Sequence, residues 1–201
     1  MTKEKMLKGL KWFFFSFIWL FVLFLVVDIV TKNIIMANLE VGDQIVLIPN
    51  FLAISYVQNF KAAFGIGYKG ANADTVNRVI YLVVASAATI AITFFYIKKF
   101  KSLNKLYRAC IMLILVGAVG NIIDRLFYAQ NDFAVVDWID FFGIWSYNFN
   151  IADSCVVVGA FILIIYMIVE EIKEVKVKRE QELAEIKAEK DAKQAEKVEE
   201  N

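Results

Sequence analysis

Residues 12–32 read WFFFSFIWLFVLFLVVDIVTK, a stretch with no charge from Trp12 to Val27, closed by Asp28 and Lys32. A bilayer core about 30 Å thick is crossed by roughly 20 apolar residues in a helix, so this run is long enough to span a membrane. Lys3, Lys5, Lys8 and Lys11 precede it in the manner of a secretory leader. The apolar run is long for such a leader and no small-residue cleavage site comes after it, which predicts an uncleaved helix.

Three further runs of the same character occur along the chain. The predicted spans are residues 12–31, 79–97, 108–124 and 153–170 of a chain of 201 residues that is 60% hydrophobic. Lys98, Lys99, Lys101, Lys105 and Arg108 lie between the second and third spans. Basic residues favour the cytoplasmic side, which places both of these clusters and both chain ends inside. The expected class is an all-α membrane protein with four transmembrane helices, N-in and C-in. The stretch VLIPNFLAISYVQN, residues 46–59, carries β-branched and alternating residues around Pro49. It predicts a small extended or β segment at the outer membrane surface between helices 1 and 2. Gly65, Gly67 and Gly70 loosen the chain beyond Asn59, and residues 126–152 form a second outer segment rich in Phe, Trp and Tyr.

Residues 1–170 thus form the membrane domain. Residues 171–201 are dense in Glu and Lys, with no apolar face wide enough for a core. They are expected as a charged cytoplasmic tail, helical or disordered.

The chain has no histidine. Ser-His-Asp and Cys-His catalysis and HExxH zinc sites are therefore excluded. Cys110 and Cys155 begin spans that run in opposite directions, so a disulfide is not expected, and both read as buried small apolar residues. Hydrolytic chemistry is left to carboxylates, lysines or hydroxyls.

Acids beside membrane spans are costly and tend to be functional. At ~1.5 Å of rise per residue, Asp28 lies roughly 24 Å above Trp12, Asp124 roughly 24 Å above Arg108 and Asp153 roughly 25 Å above Glu170. Three helices bring acids to one level, a few ångströms below the outer boundary. The plainer reading is of helix-end acids paired with Lys32 and Arg125. Lys32 stands four residues after Asp28, a good spacing for a helical ion pair. Arg125 follows Asp124 directly and faces elsewhere. Asp153 opens its span, where an N-cap role would suffice. Asp137 lies in an apolar setting, VVDWIDF, with no cation near it, and is placed in a loop. If Asp137 and Asp153 meet in a cleft of low dielectric they cannot both ionise freely, and one shared proton suits activation of water.

Five motifs occur in order: Asp28-Ile29-Val30-Thr31-Lys32, Asn59-Phe60-Lys61-Ala62-Ala63-Phe64-Gly65, Gly120-Asn121-Ile122-Ile123-Asp124-Arg125, Val136-Asp137 with Ile139-Asp140-Phe141, and Phe149-Asn150-Ile151-Ala152-Asp153. Over roughly residues 10 to 170 the chain resembles the lipoprotein signal peptidase (signal peptidase II) family of aspartyl peptidases. The resemblance implies a catalytic pair, Asp137 and Asp153. It implies that Asp28, Lys32, Asn59, Asn121, Asp124, Arg125 and Asn150 support the site or the substrate. It also implies a membrane endopeptidase that cuts diacylglyceryl-modified prolipoproteins just before the lipidated cysteine. No metal, cofactor or nucleic acid is expected. Partners are the lipidated substrates and membrane lipids, the chain acting as a monomer in the bacterial cytoplasmic (inner) membrane with its site near the outer face. Lys61 departs from the family glycine in N-x-G-A-A-F, and is expected to point outward on a loop of ordinary conformation.

Other classes stay open on the residues alone. A transporter or channel subunit would spread its acids through the membrane depth. An assembly protein would work through its tail. Other intramembrane aspartyl proteases carry G-x-G-D, and Gly65-Ile66-Gly67-Tyr68 lacks that acid.

Overall fold

The computed structural model describes residues 3–60 and 67–199. Lys61 and the Ala62-Ala63-Phe64-Gly65-Ile66 stretch lie outside the described residues, and with them the expectations for Lys61 and for Gly65. The elements are helices α1 (Lys3–Phe15), α2 (Ile18–Asn38), α3 (Ala73–Lys99), α4 (Lys105–Phe127) and α5 (Ile151–Glu199), with strands β1 (Gln44–Ile48), β2 (Leu52–Asn59) and β3 (Val135–Asp140). A short 3-10 turn occupies Ala129–Asn131. Among the described residues four helices are long and apolar enough to cross a membrane, over Ile18–Asn38, Ala73–Lys99, Lys105–Phe127 and Ile151–Ala184. The expected class of four membrane helices with a small sheet is observed.

The first span starts later than expected. Instead of one helix over 12–31, α1 ends at Phe15 and Phe17 adopts a left-handed backbone, φ 58°. That conformation is uncommon for a bulky residue and needs support. Buried Ser16 supplies it: its hydroxyl donates to Phe13 O at 3.1 Å, and the Tyr96 hydroxyl donates to its carbonyl. The helix then runs ten residues past Asp28, to Asn38. Its final turns serve the sheet, because Ile35 packs with Tyr56 and Val136 in a buried cluster.

The antiparallel sheet has the order β1-β2-β3. β1 and β2 form a hairpin whose loop holds Asn50 at φ 56°, a left-handed position that Asn tolerates well. β3 comes from the segment between α4 and α5, where the sequence showed only a run rich in aromatic residues. It pairs with β2, Val57 opposite Asp137 and Asn59 opposite Val135. Asp137 therefore stands on a strand and not in a loop. Ala134, Val135 and Val136 are buried, so alternation could not be read there. Asn131 holds the start of β3. It is fully buried, accepts from the Tyr56 hydroxyl at 2.6 Å and Gln58 Nε2 at 2.9 Å, and donates to Ala134 O at 3.0 Å.

Close helix contact near the site rests on two glycines. A Cβ on Gly117 would lie 2.5 Å from Ala152 O, and one on Gly120 would lie 2.7 Å from Asp28 Oδ2. Cys110 and Cys155 are free and buried. Contacts divide the chain into two units, residues 1–160 and 161–201. The second is helical as far as Glu199, with an exposed Glu170–Lys173 pair at 3.1 Å.

Candidate active site

Helix periodicity puts Asp28 and Lys32 one turn apart on α2, and the predicted ion pair forms, with Lys32 Nζ 2.8 Å from Asp28 Oδ2. Lys32 Nζ also lies 2.8 Å from Asp124 Oδ2 on α4. Asp124 thus pairs with Lys32 across the helix interface and not with its sequence neighbour Arg125. All three side chains are essentially withdrawn from solvent. A buried charge must be compensated, and one ammonium between two carboxylates does so while tying α2 to α4.

The same two acids fix two other elements. Asp28 Oδ1 accepts the Ala152 N–H at 2.9 Å, anchoring the start of α5. Asp124 Oδ2 accepts the Val136 N–H at 3.2 Å, anchoring β3 one residue before Asp137. Asp28 and Asp124 thus converge on Lys32, Asp28 from the middle of its helix.

Three asparagines carry this frame to Asp137 and Asp153. Asn121 Oδ1 accepts from Lys32 Nζ at 3.2 Å and from Asn150 Nδ2 at 3.1 Å, and Asn121 Nδ2 donates to Asp153 Oδ1 at 2.7 Å. Asn150 Nδ2 donates to Asp137 Oδ1 at 2.8 Å. Asn59 Nδ2 donates to Asp137 Oδ2 at 2.8 Å. That last contact comes from register, since Asn59 and Asp137 are diagonal neighbours on one face of the β2–β3 pair. Asn150 Oδ1 accepts the Asp153 N–H at 2.8 Å. Asn150 is therefore the side-chain cap of α5, and the capping role considered for Asp153 falls to it. The Asp153 carboxylate, held by Asn121, lines the cavity instead.

Asp137 and Asp153 both line a cavity of about 880 Å³ together with Asn59, Asn121, Arg125 and Tyr81. Its other walls include apolar Val84, Ala118, Val156 and Val157. Burial and then the charge of Asp153 push the Asp137 carboxyl up to about 8, against the pull of Asn59 and Lys32. Arg125 is buried, donates from Nη1 to Asn121 O at 3.1 Å and lies 5.4 Å from the centre of the Tyr81 ring.

All nine residues singled out from sequence are brought together here. Sequence reasoning missed Tyr81, Tyr147 and Asn148 as cavity walls, and Asn131 and Arg78 as supports. Arg78 Nε donates to Arg125 O at 2.8 Å and its guanidinium lies 3.6 Å from the centre of the Phe133 ring, bracing the turn before β3. For Arg78 and Tyr81 the signal was a lone Arg and a lone Tyr at the start of the second span; nothing in the sequence marked the other three. Among the described residues no three acidic or thiol groups gather as a metal cage.

A family model described as signal peptidase (SPase) II matches residues 20–169. The chain belongs to this family. It is 38% identical over 149 residues to a lipoprotein signal peptidase of Fusobacterium nucleatum, covering 74% of this chain and 84% of that one. A lipoprotein signal peptidase of Symbiobacterium thermophilum is 35% identical over 149 residues, covering 74% and 91%. Two solved structures described as bacterial membrane enzymes superpose with TM-scores of 0.65 and 0.61 at 33% and 34% identity. The first covers 77% of this chain and 88% of its own, the second 75% and 90%. Membership in the signal peptidase II family makes the chain a peptidase, and its four apolar helices make it a multi-pass bacterial membrane protein.

Proposed function

We propose that the chain removes signal peptides from lipid-modified prolipoproteins by an aspartyl dyad, Asp137 and Asp153. The observation that carries this reading is that both acids line one cavity, each oriented by asparagines that bond to each other through Asn150 Nδ2 and Asn121 Oδ1. With its carboxyl raised to about 8, Asp137 is suited to hold the single proton that the pair shares at neutral pH.

In this mechanism Asp153 takes a proton from water as the oxygen attacks the scissile carbonyl carbon. Asp137 gives its proton to the carbonyl oxygen, forming a neutral gem-diol. Collapse returns a proton to Asp137 and the Asp153 proton passes to the leaving amine, so the C–N bond breaks and the dyad is restored. The new acid end belongs to the signal peptide and the new amine to the lipidated cysteine.

Asn59 and Asn150 hold Asp137, Asn121 holds Asp153, and the Asp28–Lys32–Asp124 bridge fixes the elements that bear them. Arg125 is suited to a carbonyl or phosphate-like oxygen of the substrate. The apolar wall of Val84, Ala118, Val156 and Val157 suits an acyl chain. Each chain carries the complete set, so a monomer suffices. The basic ends of the spans favour an N-in, C-in orientation in the inner membrane, with the acids toward the outer leaflet.

The test uses purified enzyme with a lipidated precursor and with its unlipidated form. Asp137→Asn and Asp153→Asn should each abolish cleavage while thermal unfolding stays cooperative, and the unlipidated precursor should be cut poorly. Full activity in either variant would sink the dyad.

A further inference from the structure

A second cavity, of about 670 Å³, lies at the opposite, basic end of the helices and takes no part in the reaction above. It is lined by Leu7, Lys11, Phe14, Phe15, Phe17 and Lys105. Lys105 opens α4, 19 residues before Asp124, so this cavity is roughly 28 Å along that helix from the dyad region. Four of the residues come from one face of α1, since Leu7, Lys11, Phe14 and Phe15 recur at three- and four-residue steps. Phe17 carries the left-handed turn between α1 and α2, and the cavity lies between α1 and the start of α4.

Its chemistry is that of an apolar cleft with a cationic rim. Four of the six lining residues are apolar, two are lysines and none is an acid. Both lysines are exposed, and no ion pair to either is formed among the described residues. Behind the cleft, buried Arg108 donates to Phe15 O at 3.4 Å and Phe100 O at 2.8 Å, and its guanidinium lies 4.3 Å from the centre of the Phe15 ring. It brings a third positive charge and pairs with no carboxylate among the described residues. The cleft also sits where two of the apolar spans begin, at Ile18 and Lys105, and basic residues at the ends of membrane spans lie within reach of lipid headgroups. Most of its wall precedes the segment matched by the family, 20–169.

We infer that this cleft binds one anionic phospholipid, its phosphate held between Lys11 and Lys105 and its acyl carbons against Leu7, Phe14 and Phe17. Lipid is favoured over a protein partner because the charge is one-signed and the apolar wall opens at the edge of the membrane spans. The bound lipid would clamp α1 against α4 and so stabilise the turn at Ser16–Phe17. The inference is independent of the peptidase mechanism.

The full-length protein in detergent micelles, titrated with phosphatidylglycerol or phosphatidylcholine, tests it by thermal unfolding and native mass spectrometry. Phosphatidylglycerol should raise the Tm more than phosphatidylcholine and be retained at one molecule per chain. Lys11→Gln/Lys105→Gln should weaken that binding roughly 30-fold, about 1 kcal/mol per lysine. Lys98→Gln/Lys99→Gln, which removes the same charge from the same end of the molecule, should leave it unchanged. Equal responses to the two lipids would overturn the inference. So would equal losses in the two double variants, or a loss of dimer in Lys11→Gln/Lys105→Gln that shows the cleft to be filled by a second copy.

Discussion

Asn150 Nδ2 donates to Asp137 Oδ1 at 2.8 Å, while the same side chain accepts the Asp153 N–H at 2.8 Å through Oδ1. One amide thus caps α5 and sets the strand acid against the helix acid. The two functions separate by mutation. Asn150→Asp keeps the capping oxygen and loses the donor, so it should unfold near the wild-type temperature but cleave about 100-fold more slowly, the scale of a small misplacement of catalytic groups. Asn150→Ala should lose the cap as well, at about 1 kcal/mol. Cleavage rates and thermal unfolding measured together distinguish the two outcomes.

Lys32 is buried between Asp28 and Asp124, and removing it leaves two carboxylates without their counter-charge. Lys32→Met should destabilise the protein by about 3–5 kcal/mol, the cost of breaking a buried ion pair from one side. Lys32→Met with Asp28→Asn should recover part of the loss. Denaturant unfolding in micelles measures both.

The Asp137 carboxyl, raised to about 8, sets the sign of the pH response. Folding raises its affinity for a proton, so its contribution to stability is full below the unfolded carboxylate pKa, about 3.9. That contribution declines as the pH rises through about 8. Cleavage should fall over the same upper range as the dyad loses its shared proton. In Asp153→Asn, with one cause of the raised value gone, the protonated-carboxyl infrared band of Asp137 should disappear at lower pH than in the parent.

Gly117 lies where a Cβ would meet Ala152 O at 2.5 Å and Val156 Cγ2 at 2.0 Å. Backbone leaves no room to give, so Gly117→Ala should push the start of α5 away from α4 and lengthen the Asn121–Asp153 contact. Cleavage should drop at least tenfold with the protein still folded; pulling two catalytic partners apart has effects of that order or more. A kinetic comparison with Gly9→Ala, where a Cβ meets nothing within 4 Å, controls for the substitution itself.

The residues proposed to build the site all precede the charged segment 171–201 in the chain. Deleting that segment should leave kcat and KM for a lipidated precursor within about twofold of the full chain, as for surface changes remote from a site. A large loss would move function into the tail.

By itself the sequence determined the four membrane helices, because apolar runs of spanning length have few other solutions. It also brought Asp28, Asp124 and Asp153 to notice as costly acids beside apolar spans, while the choice of Asp137 and Asp153 as the pair, and of the asparagines around them, came from the order of the five motifs. The Asp28–Lys32 pair came from helical spacing alone. Tertiary structure decided the rest. That Asp124 belongs to Lys32, that Asn150 and not Asp153 caps α5, and that Asp137 stands on a strand all depend on contacts between segments far apart in the chain. Periodicity reports only which face a residue takes within its own element. The break at Ser16–Phe17 was illegible for the same reason, because it is held by Tyr96 from another helix.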